Sequence, residues 1–365
     1  MWFAGNAVLA DLQRHWGLPA EALGYTTSAV QLGFIAGTLA FAFFAVADRH
    51  SPRLVFLLCA LAAAAANAAL HGAAGSLGAL LALRFATGFF LAGIYPVGMK
   101  IASGWYQKDL GNALGFLVGA LVAGTAFPHL LRGLGQALPW QQVVLGASGV
   151  AALGGLLMFA LVPDGPHLAK GARFDPRALA AVFRVKAFRA SAFGYFGHMW
   201  ELYAFWAFAP WMLAQRGVPD VSLWSFAIIA VGALGCVAGG LVSLKRGSAP
   251  VAFAQLSASG LCCLLSPLLF FAPTPVFLGF LLFWGVVVVG DSPQFSALNA
   301  QSAPRERVGS ALTIANCIGF GITVFSIELL NSASRQLAPQ WLFLLLVPGP
   351  LAGLAALRPL LRRAA

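Results

Sequence analysis

Arg84, Lys100, His198, Glu201, Asp291 and Glu328 are ionisable side chains that fall inside predicted helices of a chain this apolar. A charge in hydrocarbon is costly, so each is a candidate functional residue. His198 and Glu201 lie about 14–18 Å into their helix at ~1.5 Å rise per residue, near the middle of a bilayer. Three residues apart, they share a helix face. A carboxylate there could load and release a proton near neutral pH, with His198 as relay. The alternative is a structural His–Glu hydrogen bond in a packed face. A His-x-x-Glu metal site would need a second ligand cluster, and the sequence has none, so neither metal nor cofactor is expected. Trp200, Tyr203, Trp206 and Trp211 surround the pair and could form a stacking or cation–π wall.

Asp291 stands in Val289-Gly290-Asp291-Ser292-Pro293-Gln294. A proline in mid-helix removes a backbone hydrogen bond, and the freed carbonyls are tolerable only beside a cavity or a partner. The segment therefore reads as a polar kink at Gly290 and Pro293, suited to solute contact or gating, or as a simple hinge. Gly93-Ile94-Tyr95-Pro96 is the same device without the acid, and it places Tyr95 at the kink with Lys100 one turn on. Arg84 needs a carboxylate, a carbonyl cluster or an anion, so it could bind substrate, couple to a proton site or brace helices. Arg84 and Lys100 lie in one half and His198, Glu201, Asp291 and Glu328 in the other, which suggests opposite charges across a central cavity. Gln31, Asn67 and Asn316 offer neutral hydrogen bonds, although such amides mostly join helices. Glu328 is expected at an interface, and Gly111, Gly115, Gly119 and Gly124 mark a close helix approach.

The elements that must hold these groups follow from composition. Of 365 residues, 60% are apolar and 9% charged, with a mean hydropathy of +0.84. A soluble domain carries roughly 25% charged residues, so this surface is not built for water. Helices are predicted at 24–47, 53–72, 77–105, 109–133, 141–162, 189–214, 221–244, 250–272, 275–301, 307–333 and 340–361, with an apolar stub at 1–12. A repeat orders them. Gly93-Ile94-Tyr95-Pro96 returns as Gly290-Asp291-Ser292-Pro293, 197 residues on. Leu110-Gly111-Asn112-Ala113-Leu114 returns as Val308-Gly309-Ser310-Ala311-Leu312 after 198, and Leu138-Pro139-Trp140 is echoed near Ala338-Pro339-Gln340-Trp341. One long period used twice means two halves of similar fold, and in a membrane chain a cavity between them.

By that period the first helix would begin about nine residues before Met1, so it is expected to be short of its opening turns or half-length by nature. Residues 1–162 and 189–365 form the two expected bundles. The segment 163–188 links them, with Phe174-Asp175-Pro176 capping an amphipathic helix over Arg177 to Phe183. Alternate loops and the tail hold sixteen basic residues against four (Arg14, Arg132, Arg216, Arg335) on the other side. The rich side, with the C-terminus, is expected in the cytoplasm. The formal charge of +11 is thus a topology signal with contact to anionic lipid, and it excludes a nucleic-acid reading. Five cysteines lie in apolar stretches without metal spacing. Met1-Trp2-Phe3 shows no basic region of a cleavable signal.

These residues resemble the major facilitator superfamily over essentially the whole chain. Phe44-Ala45-Val46-Ala47-Asp48-Arg49-His50-Ser51-Pro52-Arg53 is similar to that family's loop after the second helix, with Phe44 and Ser51 in place of its glycines. The resemblance implies that Asp48, Arg49 and Arg53 latch a cytoplasmic gate through charge pairs and helix-end dipoles. Leu244-Lys245-Arg246-Gly247-Ser248, in the second half, keeps the charges and lacks the acid. Arg84-Phe85-Ala86-Thr87-Gly88 resembles the fourth-helix Arg-x-x-x-Gly motif, in which the Arg is linked to proton coupling. The fifth helix lacks the Gly-Pro pair of drug antiporters, and Pro128 is displaced from it. The chain is similar in look to the nitrate, nitrite and cyanate branches. It lacks the arginines that nitrate porters carry in the second and eighth helices.

The expected protein is therefore an all-α integral membrane protein of two pseudo-symmetric six-helix bundles, with eleven full spans and a stub. It would sit as a multi-pass monomer in the cell's inner membrane. It would move a small molecule by alternating access, coupled to protons through Glu201 with His198 or Asp291, and with Arg84 as partner. A drug or metabolite exporter of the same superfamily, or a non-transporting sensor on this scaffold, is the alternative. An enzyme is disfavoured because no nucleophile–base or metal constellation is present.

Overall fold

The computed structural model describes residues 1–73, 75–106, 110–134, 138–168, 178–304 and 307–361. No strand is present among them. In lipid every backbone N–H and C=O must be paired within its own segment, and helices do this for the whole chain.

The N-terminal stub is two short helices, α1 (Ala4–Ala7) and α2 (Leu9–Trp16), the second ended by Gly17 at φ 62°. There follow α3 (Ala22–Phe43), the short α4 (Val46–Arg49), and α5 (Pro52–Ala68), which tightens into a 3-10 turn to Gly72. Next come α6 (Leu77–Leu91), α7 (Tyr95–Trp105), α8 (Leu110–Leu134) and α9 (Trp140–Leu161). The second half holds α10 (Ala178–Arg184), α11 (Lys186–Gln215), α12 (Val221–Ala230), α13 (Gly232–Arg246) and α14 (Ser248–Phe270). It continues with α15 (Thr274–Gly290), α16 (Ser292–Ser302), α17 (Val308–Ala333), a 3-10 segment (Pro339–Leu346) and α18 (Pro348–Leu361).

Ten of these stretches are long and apolar enough to cross a membrane. The helix α11 is not among them, although its 30 residues reach about 45 Å. It runs through the interior of its half, with aromatic side chains buried on nearly every face and His198 and Glu201 buried on one. A helix wrapped by protein need not be apolar to lipid, so hydropathy alone understates it.

The repeat is visible at atomic contacts. A Cβ on Gly88 would lie 2.0 Å from the Val30 carbonyl oxygen, and one on Gly285 2.0 Å from that of Ile228. Gly37 meets the Phe89 oxygen at 2.2 Å, and Gly235 the Val286 oxygen at 2.0 Å. Each pair is related by 197 or 198 residues. Thus α3 lies on α6 as α12–α13 lie on α15, backbone against backbone. Both halves also break the following helix at the expected kink: α6 yields to α7 between Leu91 and Tyr95, and α15 to α16 at Asp291. Pro96 and Pro293 sit in the first turns of the new helices, where the missing N–H costs nothing.

Two seams join the halves. α8 packs on α12 and α13, where a Cβ on Gly115 would lie 3.0 Å from the Cys236 oxygen and one on Gly119 3.3 Å from that of Ala233. Gly124, expected in the same seam, has nothing within 4 Å. α3 packs on α17. The expected linker helix appears as α10, which packs on α11 and α17 with Val182 buried. Phe174 to Arg177 lie outside the described residues.

Candidate functional site

A cavity of about 20 Å³ lies where the two repeats meet, the size of roughly one water. α7 and α8 contribute Tyr95 and Leu121, and α11 contributes Tyr195, Tyr203 and Trp206. Ser292 and Ser296 on α16 and Asn316 and Phe320 on α17 complete the wall. The kinks explain why polar groups reach it. Ending α15 at Gly290 turns Ser292 and Ser296 toward the cavity, as ending α6 at Leu91 presents Tyr95 opposite them. Tyr95 hydrogen-bonds Ser296 across the repeats. The Tyr195 hydroxyl donates to Asn316 Oδ1 at 3.3 Å. Gly93 and Gly290 are the close approaches behind the kinks, against the Cys59 sulfur and the Gln255 side chain.

The charged residues are placed differently from expectation. His198 does not pair with Glu201. Its Nδ1 stands 2.8 Å from Asp291 Oδ1, both side chains 1% exposed. An N–H at Nδ1 makes this a hydrogen bond, and an ion pair only when Nε2 carries a proton as well; neither carboxylate oxygen has another side-chain donor among the described residues. Glu201 instead accepts from the Ser259 hydroxyl and, at 2.6 Å, from Trp284 Nε1. Sharing a helix face puts two groups on one side, but here His198 meets the end of α15, and Glu201 meets α14 and the middle of α15. Asp291 closes the break between α15 and α16, directly beside cavity-lining Ser292.

Nor do opposite charges confront each other across the cavity. Arg84, fully buried, donates to the Met1 carbonyl at 3.2 Å, to the Trp2 carbonyl and to Asn67 Oδ1 at 3.1 Å. Of the three roles open to it, bracing helices through a carbonyl cluster is the one its contacts describe. Asn67 in turn donates to Ser148 Oγ at 2.9 Å, tying α5 to α9. Lys100 pairs with Asp48 and donates to the Ala47 carbonyl at 2.7 Å. Buried ions are satisfied by the nearest available lone pairs, and those lie within each half.

In the loop before α5, Ala45 takes φ 49°, a left-handed conformation that favours glycine. Asp48 is held by Lys100 of α7, and the Arg53 guanidinium lies 5.0 Å over the Phe159 ring. Gln31 is fully buried with neither amide atom bonded. Trp200 turns away to donate to the Leu345 carbonyl at 3.1 Å, so of the expected aromatic wall only Tyr203 and Trp206 line the cavity. Sequence reading missed Ser292, Ser296 and Tyr195. Ser292 lies within the kink segment and Ser296 one turn after it, a signal that was present but outweighed by Asp291.

At the opposite end from Asp48, α3 and α17 are latched. The Ser28 hydroxyl donates to Glu328 Oε1 at 2.6 Å, and Asn331 donates to Glu328 at 3.3 Å and to the Glu21 carbonyl at 3.2 Å. Arg335 pairs with the Glu21 carboxylate. Glu328 is thus an inter-repeat contact.

Interrupted helices in repeated positions around a shared cavity are the architecture of a two-bundle membrane carrier. Residues 1–327 match the Major Facilitator Superfamily, and the chain belongs to that family. It is 26% identical over 164 residues to the D-galactonate transporter of Escherichia coli O6:H1 (strain CFT073), a stretch covering 44% of this chain and 37% of that protein. The chain thus matches little more than a third of that curated relative's length. Its fold superposes on the human organic anion transporter MFSD10 (TETRAN) with a TM-score of 0.68 and 19% identity, covering 98% of this chain and 89% of that one. At such identity the likeness is one of fold.

Proposed function

We propose that the chain is a secondary transporter that carries a small solute by alternating access and couples its movement to protons. Residues 1–162 and 189–365 are the moving bodies, 163–188 their cytoplasmic link, and the cavity between them the solute site. The basic loops and the C-terminus face the cytoplasm, by the sixteen-to-four bias. The protein acts as a monomer in the cell membrane, in contact with anionic lipid. Asp48, Arg49 and Arg53 belong to the gate on that side.

The observation that carries this reading is the position of Asp291. It occupies the break between α15 and α16, is paired to His198 of α11, and directly precedes Ser292 of the cavity wall. Protonating the carboxylate changes its contact with His198, a contact between two helices that both line the cavity, so proton binding and helix movement share one site. Glu201, on the same helix as His198, is a second proton site.

The test uses proteoliposomes that enclose a pH-sensitive dye and are offered neutral and anionic small solutes in turn. A transported solute is expected to move protons with it, and Asp291→Asn to abolish the proton movement while counterflow of labelled solute persists. Counterflow without any proton movement in the unmodified protein refutes coupling. No flux of any solute refutes transport.

A further inference from the structure

We propose that the inter-repeat cavity accepts an uncharged polar solute with an apolar face, bearing hydroxyl or amide groups, and rejects the corresponding anion. The inference rests on the transport reading above and names the solute class its site admits.

Among the described residues no charged side chain lines the cavity. Its polar groups are phenols, hydroxyls, an amide and an indole N–H. The cations within the helices of the first half are engaged elsewhere, Arg84 by two backbone carbonyls and Asn67, and Lys100 by Asp48. A carboxylate entering this space would give up its water with no cation to receive it, which neutral donors do not offset. An uncharged hydroxyl or amide asks only for the donors and acceptors already present.

One of those donors is unused. Trp206 is 1% exposed, its ring lines the cavity, and its Nε1 has no partner. An indole N–H can only donate, and leaving it buried and unpaired costs free energy, so it awaits an acceptor oxygen. Tyr95, Ser296 and Asn316 supply further hydroxyl and amide groups on the other walls. The rings of Tyr203, Trp206 and Phe320, with Tyr203 and Phe320 at 5.3 Å and Tyr203 and Trp206 at 5.4 Å between centroids, pack on one another and give an apolar surface. At about 20 Å³ the cavity is closed down, so binding must part these walls.

The test is binding to the purified full chain, with matched pairs that differ in one charge: D-galactitol against D-galactonate, nicotinamide against nicotinate, and 4-hydroxybenzamide against 4-hydroxybenzoate. The neutral member of at least one pair is expected to bind about tenfold or more tightly than its anion. Trp206→Phe keeps a smaller aromatic ring and removes the N–H; it should weaken that binding several-fold, beyond any fall in the ligand-free melting midpoint from the lost indole volume. Ser296→Lys supplies the missing cation and should turn the preference toward the anion. An anion that binds the unmodified protein as well as its neutral partner overturns the proposal. So does a panel in which no neutral member binds, or binding indifferent to Trp206→Phe. Counterflow of the bound solute is read separately: a solute that binds but does not cross removes the transport reading and leaves the solute class standing.

Discussion

At the scale of single residues, the buried charges are described by their partners rather than by their depth. His198 and Glu201 are neighbours on one helix face, yet one meets Asp291 and the other Ser259 and Trp284. A double-mutant cycle on melting midpoints distinguishes the two pairings. His198→Ala with Asp291→Asn should show a coupling of about 1–3 kcal/mol, as contacting buried groups do. His198→Ala with Glu201→Gln should show the smaller coupling of the two. The reverse pattern would mean that the imidazole turns toward Glu201. Depth, charge and the candidate list were legible in the sequence, because an ionisable residue in an apolar run is conspicuous. Partners were not, because they come from helices far away in the chain.

At the scale of elements, glycine decides how closely helices approach. Gly88 and Gly285 each leave room for a carbonyl oxygen of the facing helix, where a Cβ would stand at 2.0 Å. Alanine at either position must force the pair apart, and is expected to cost about 1–3 kcal/mol or more, the range of overpacking. Gly124→Ala and Gly309→Ala, with nothing within 4 Å, should change the melting midpoint little. Equal effects at all four positions would remove the argument. The sequence pointed to the glycines of α8, of which Gly115 and Gly119 do face α13 and Gly124 does not. Regular spacing marks a stripe of small residues, whereas the length of the seam depends on where the partner helix diverges. The kinks were plainer, since a Gly and a Pro act on the backbone locally. Both breaks fall where the sequence puts them.

At the scale of the whole molecule, the cavity is small and the Glu21–Arg335 end is held shut by α3 on α17. The exposed Arg335–Glu21 pair is worth little alone, about 0–1 kcal/mol. The half-buried Glu328, with bonds from Ser28 and Asn331, carries more of the latch. Glu328→Ala should favour the form open at that end. A loss of about 1.4 kcal/mol shifts a two-state population tenfold. The shift is measured by a water-soluble maleimide on a cysteine placed at Gln31, which is buried in the latched form. Labelling should rise several-fold, against a background of native cysteines of which four are buried. Unchanged labelling would show that the latch does not set the population.

The amino-acid order alone determined that the chain is membrane-bound, that it is built twice, and where the helices at 93–96 and 290–293 break. Those properties follow from solvent and local backbone: apolar length, a period near 198 residues, and Gly or Pro at fixed positions. Tertiary structure alone decided that Arg84 braces backbone carbonyls, that His198 answers to Asp291, and that the cavity wall is aromatic and uncharged. A side chain's position on its own helix specifies a direction. What stands in that direction is set by how eleven other segments pack around it.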